Sequence, residues 1–165
     1  MPPRLTPARR SGLAAALAVL AADQASKLWL IHSFDLAANG PVEVTPFLRI
    51  VLAFNPGISY SLFSAQSPVG RWALLGLTLA ATAALAAWLW RAPDGVTASG
   101  LGLIVGGALG NGIDRLIYGA VVDFLNFRLG SFSPFGVFNL ADTAIFAGVG
   151  LLLYRTLYPS GPIRP

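Results

Sequence analysis

Gly106-Gly107-Ala108-Leu109-Gly110-Asn111-Gly112-Ile113-Asp114-Arg115 ends an apolar run that starts near Leu101 and gives out near Tyr118. The reading of this run decides the fold. It approaches the roughly 20 apolar residues that carry a helix across a bilayer. Gly102, Gly106 and Gly110 recur every four residues, on one helical face, the spacing of close helix–helix contacts. Asn111, Asp114 and Arg115 then set polar groups into the end of the same run, where burying an ionised side chain is costly. Working outward, similar runs lie at about residues 13–31, 72–90 and 137–157, and Pro93-Asp94-Gly95 makes a tight turn before the third span. The chain is 55% hydrophobic and 11% charged, against about 25% charged in soluble domains. The sequence therefore predicts an α-helical membrane protein of four transmembrane helices, with residues 1–165 forming one membrane-embedded domain.

Charge orients the spans. Arg4, Arg9 and Arg10 precede the first, Arg91 follows the second, and Arg155 and Arg164 end the fourth. By the positive-inside rule both termini and the short loop are cytoplasmic, and the long connections 32–70 and 119–136 face outward. Within these loops Val42-Glu43-Val44, Phe47 to Leu52 and Val121 to Phe127 have strand character, so a small extracytoplasmic β-sheet and loop over the outer helix ends are expected. The basic start and the Leu13 to Ala22 run also have the look of a cleavable leader, but apolar sequence resumes at Leu28-Trp29-Leu30-Ile31 and completes a span. The net charge of +4 is scattered singly, which gives no nucleic-acid signal.

The chemical inventory is short. With no Cys and one His, thiolate and multi-histidine metal sites are excluded, and no metal or cofactor is expected. Paired carboxylates remain. Topology puts Asp123, flanked by Val122 and Phe124, and Asp142, at the start of the fourth span, near the same outer face. Asn139 is the better placed of the two to cap that helix. Like charges close together cannot both ionise. One carboxylate then activates water while its protonated partner donates to a carbonyl, which is peptide hydrolysis without metal or covalent intermediate. Asn111, Asp114 and Arg115 read as a polar platform for substrate. Asp23 and Lys27, at i and i+4, read as a self-neutralising structural pair, and Gly106 and Gly110 as packing residues. Ser26 cannot bond the adjacent Lys27 along a helix, although Ser59 or Ser61 could meet that lysine as a Ser–Lys dyad. A transporter or proton relay built on Asp23, Asp114, Asp123 and Asp142, or a scaffold joined through the glycine face, are rival readings.

These blocks, taken in order, resemble the signal peptidase II (lipoprotein signal peptidase) family of intramembrane aspartyl proteases. They are Asp23 with Lys27; Phe54-Asn55-Pro56-Gly57 with Ser61; Gly106 to Arg115; Gly119 with Val122-Asp123-Phe124 and Phe127; and Phe138-Asn139-Leu140-Ala141-Asp142 with Ile145. The resemblance implies a bacterial cytoplasmic (inner) membrane enzyme, most simply a monomer. It would remove signal peptides from diacylglyceryl-modified prolipoproteins by cutting before the lipidated cysteine, and would be inhibited by globomycin. It also implies a mobile helix-bearing loop over the site. By position Asp123 and Asp142 match the catalytic dyad, Asn55, Asn111, Asp114, Arg115 and Asn139 the surrounding polar shell, and Asp23 a supporting residue. Pro56 and the Ser59-Tyr60 pair depart from the family's usual pattern; Pro56 stiffens its turn, which bears on loop motion and substrate preference rather than on the chemistry.

Overall fold

The computed structural model describes residues 5–57, 68–130 and 132–158. Ser59, Tyr60 and Ser61, with the rest of the 58–67 stretch of the expected outer loop, lie outside them. Among the described residues four helices are long and apolar enough to cross a membrane. They are α1 (Pro7–Leu28), continued by a π-helical turn (Trp29–Ser33), α3 (Pro68–Leu89), α4 (Gly95–Ile117) and α5 (Leu140–Leu157). A short α2 (Leu36–Asn39) follows the π turn, and the strands are β1 (Val42–Thr45), β2 (Leu48–Asn55), β3 (Val121–Phe127) and β4 (Val137–Phe138).

Helix α4 is the centre of the bundle. It is 67% buried, against 11–22% for the other three, because α1, α3 and α5 all pack on it. Glycine makes the closest approaches possible. A Cβ on Gly102 or Gly106 would run into the α1 backbone at Gly12 and Ala16. A Cβ on Gly107 would lie 2.5 Å from the Ala141 carbonyl of α5, and one on Gly148 2.5 Å from the Gly100 carbonyl. The glycine face seen in the sequence thus meets α1, and a second set of glycines meets α5.

Helix starts follow their caps rather than the apolar runs. Thr6 accepts from Arg9 N with Pro7 in the first turn, so α1 begins before the apolar run. Asp94 accepts from Val96 N and Thr97 N, so α4 begins at Gly95 and not near Leu101. The fourth span begins at Leu140 and not at Val137. Asn139 and Asp142 form a reciprocal capping box, and Val137 and Phe138 are used as β4, paired with Asn126 and Leu125.

The sheet is antiparallel throughout, in the order β1-β2-β3-β4, at one end of the bundle. Leu30, Leu36 and Phe124 are buried between it and the end of α1, with Ile50, Leu52 and Leu140 packed around them. A shift of register between Ile50 and Ala53 sets Ala53 against Asp123 and Asn55 against Val121. β4 leads through Asn139 directly into α5, so one turn of chain links the sheet to the head of a membrane helix.

Candidate active site

β3 emerges from α4 through a turn at Gly119, whose φ is +76°, and brings Asp123 to within reach of the α5 N-terminus. Asp123 is 3% exposed. Its Oδ1 accepts from Asn139 Nδ2 at 2.8 Å and its Oδ2 from Asn55 Nδ2 at 3.3 Å. Asp142, half-buried in the first turn of α5, accepts from Asn111 Nδ2 at 2.8 Å through Oδ1 and from Asn139 N at 3.3 Å through Oδ2. Asn139 joins the two halves: its Oδ1 accepts from Asp142 N at 2.8 Å, and its Nδ2 also donates to Asn111 Oδ1 at 2.9 Å. Two carboxylates from different elements therefore share one network of side-chain amides. Burial, and secondarily the charge of Asp142, push the Asp123 carboxyl up to about 7, against the hydrogen bonds of Asn55 and Asn139.

Beneath this network lies a second, wholly buried one. Lys27 is 2% exposed, and Asp23 and Asp114 are both 0% exposed. Lys27 Nζ donates to Asp23 Oδ2 and Asp114 Oδ2, each at 2.7 Å, and to Asn111 Oδ1 at 3.3 Å. All three ammonium hydrogens are thereby used, so Lys27 sits as a charge among acids rather than as a free amine for a serine. Ser26 Oγ donates instead to the Asp23 carbonyl. Gln24, a polar interruption of the first apolar run, donates to Asp114 Oδ1 at 3.0 Å.

The structure thus brings Asn55, Asn111, Asn139, Asp123 and Asp142 together. Asp114 faces Lys27 instead of a cavity. Arg115 donates to the Asn111 carbonyl at 3.3 Å while its buried Nε has no partner among the described residues; it lines, with Asn111, Thr78, Thr82 and Ile145, a cleft of about 350 Å³ between α3, α4 and α5. Asp142, Thr143 and Phe146 line a second cleft of about 330 Å³ with Phe135 and Phe138. Gly106 abuts α1, and a Cβ on Gly110 would lie 2.6 Å from Asp23 Oδ2. Among the described residues no group of three or more His, Cys, Asp or Glu side chains is arranged to hold a metal ion.

A family model for signal peptidase II matches residues 15–158. The chain belongs to the signal peptidase II family. It is 58% identical over 149 residues to a lipoprotein signal peptidase of Beijerinckia indica, an alignment covering 90% of this chain and 88% of that protein. It is 49% identical over 163 residues to the Rhodopseudomonas palustris lipoprotein signal peptidase, covering 97% and 99%. A solved bacterial membrane enzyme shares the fold with a TM-score of 0.75 at 26% identity, over 92% of this chain and 95% of its own. Signal peptidase II membership makes the chain a protease, and the match runs through all four membrane helices and the sheet.

Proposed function

We propose that this chain is an aspartyl endopeptidase that removes signal peptides from diacylglyceryl-modified prolipoproteins, cutting before the lipidated cysteine, with Asp123 and Asp142 as its dyad. The observation that carries this reading is the joining of two carboxylates by Asn139 and Asn111 at the sheet end of a membrane bundle. Burial inclines Asp123 toward the neutral form near neutral pH, which casts it as the acid and Asp142 as the base. A water between the two loses a proton to Asp142 as its oxygen attacks the scissile carbonyl carbon. Asp123 gives its proton to the carbonyl oxygen. The resulting tetrahedral intermediate collapses as the leaving amide nitrogen takes the proton from Asp142, and the new carboxylic acid returns one to Asp123.

The remaining assignments follow from the same site. Asn55, Asn111 and Asn139 fix the dyad by hydrogen bonding. Arg115, which lines a cleft walled by α3, holds polar backbone of the substrate. A lipid-anchored precursor reaches such a site by lateral diffusion in the bilayer, and globomycin competes for it. The sheet faces outward from the bacterial cytoplasmic membrane and both termini face inward, since the arginines gather at the other end. A proton relay would need acids spaced through the membrane depth. Here Asp23 near the end of α1, Asp114 in the last turn of α4, Asp142 in the first turn of α5 and Asp123 on β3 all lie at the sheet end of the bundle.

The test is incubation of the detergent-purified protein with a diacylglyceryl-modified precursor peptide and with its unlipidated twin. Cleavage of the first alone, on the N-terminal side of the modified cysteine, is the expected result. Equal cleavage of both, or none by folded protein, contradicts the substrate assignment.

A further inference from the structure

Two backbone hydrogen bonds mark the places where the buried network meets the dyad. Asp114 Oδ2 accepts from Val122 N at 3.0 Å, and Val122 immediately precedes Asp123. Asp23 Oδ1 accepts from Ala141 N at 3.0 Å, and Ala141 immediately precedes Asp142. The same two carboxylates share Lys27 Nζ, each at 2.7 Å. We infer that Asp23 and Asp114 are positioning residues for hydrolysis, each fixing the backbone amide beside one dyad aspartate, with Lys27 as the tie that sets the two amides, and so the two carboxylates, at one spacing. This inference rests on the dyad reading above.

The chemistry favours this role over contact with substrate. Asp23, Lys27 and Asp114 are 0–2% exposed and so leave no surface for a peptide. Ala141 N is one of the first-turn donors that a helix cannot satisfy itself, and a carboxylate from α1 reaches it past Gly110, where a Cβ would come within 2.6 Å of that carboxylate. One acid is enough to pair with Lys27; the second supplies the second arm. The tie also continues into the site, because Lys27 donates to Asn111, which in turn donates to Asp142. Dyad chemistry is steep in distance: a misplacement of about 1 Å costs on the order of 10²-fold in rate.

Asp114 is the arm to test, since Lys27 keeps Asp23 as partner without it. Asp114→Leu removes the acceptor for Val122 N. Asp114→Asn retains one on the side of Val122 N and Lys27, its NH₂ facing Gln24 at the cost of that single hydrogen bond. With the diacylglyceryl-modified peptide as probe, Asp114→Leu should lower kcat about 10²-fold with KM within about twofold of wild type, and Asp114→Asn should recover most of that loss. A folded Asp114→Leu with wild-type kcat overturns the inference. So does a raised KM at unchanged kcat, which would make Asp114 a substrate contact, or an Asn variant as impaired as the Leu variant. Should Asp114→Leu fail to fold, amide exchange in the native protein decides instead: Val122 and Ala141 are expected to be protected, and rapid exchange at either overturns the inference. Asp123→Asn and Asp142→Asn run alongside. If they are inactive while Asp114→Leu is not, the positioning role alone falls; if they cleave, the dyad reading falls and takes the positioning role with it.

Discussion

At the scale of single residues, the site is a problem of placing two like charges. Asn139 is the least replaceable neutral group, because it caps α5, donates to Asp123 and is 0% exposed. Removing it would leave buried acceptors unpaired, at about 1–3 kcal/mol each. Asn55 is different: half-buried on β2, it donates only to Asp123 within the dyad and stabilises the ionised form. In the proposed mechanism Asp123 activates the carbonyl in its protonated form, which is lost as pH rises through about 7. Without the Asn55 donor the ionised form is less favoured, so that loss moves to higher pH. Asn55→Ala should therefore shift the alkaline limb of the kcat/KM profile upward while lowering the plateau by about tenfold or less. A limb that stays in place, or moves to lower pH, would contradict this. Such electrostatics are hidden in sequence. The proposed dyad stands out because carboxylates in apolar runs are rare, but nothing in the spacing of Asp114 tells that it turns inward to Lys27.

Between elements, glycine and caps decide the geometry. The four-residue spacing of Gly102, Gly106 and Gly110 is legible as a contact face. Its partner is not: Gly102 and Gly106 meet α1 backbone, while Gly110 makes room for a carboxylate. Gly106→Val should therefore force α1 and α4 apart and cost about 1–3 kcal/mol of stability, measured as a lower midpoint of thermal unfolding in detergent. Gly110→Ala should act on the reaction as well, displacing Asp23 from Ala141 N and lowering kcat by roughly tenfold or more; unchanged kcat would show that the carboxylate moves aside freely. Apolar runs located the spans but not their starts, because Thr6, Asp94 and Asn139 set those by hydrogen bonding. Val137 and Phe138 look like the first residues of a span by composition, and become a strand because β3 offers them partners.

For the whole molecule, membrane character and four crossings follow from composition, and strand propensity in the long loops anticipated the sheet. The end of the bundle away from the sheet carries its own fastening. Arg155 Nε donates to Asp94 Oδ2 at 3.0 Å, and the Arg9 guanidinium lies 5.2 Å from the centre of the Trp90 ring. These groups are partly exposed, so Arg155→Ala should cost no more than about 1 kcal/mol of stability and leave kcat unchanged. A large loss of activity would show that the two ends are coupled. The absence of cysteine makes topology directly readable. Glu43→Cys on the sheet should react with a membrane-impermeant maleimide in intact cells, and Val96→Cys only after permeabilisation; the reverse pattern would invert the orientation.

Asp123 and Asp142 are proposed to perform the hydrolysis together. The most direct measurement compares single-turnover cleavage and binding of a diacylglyceryl-modified precursor peptide by wild type, Asp123→Asn and Asp142→Asn. Each variant is expected to fold and to bind the peptide about as tightly as wild type while turnover disappears. Cleavage surviving in either variant would contradict it.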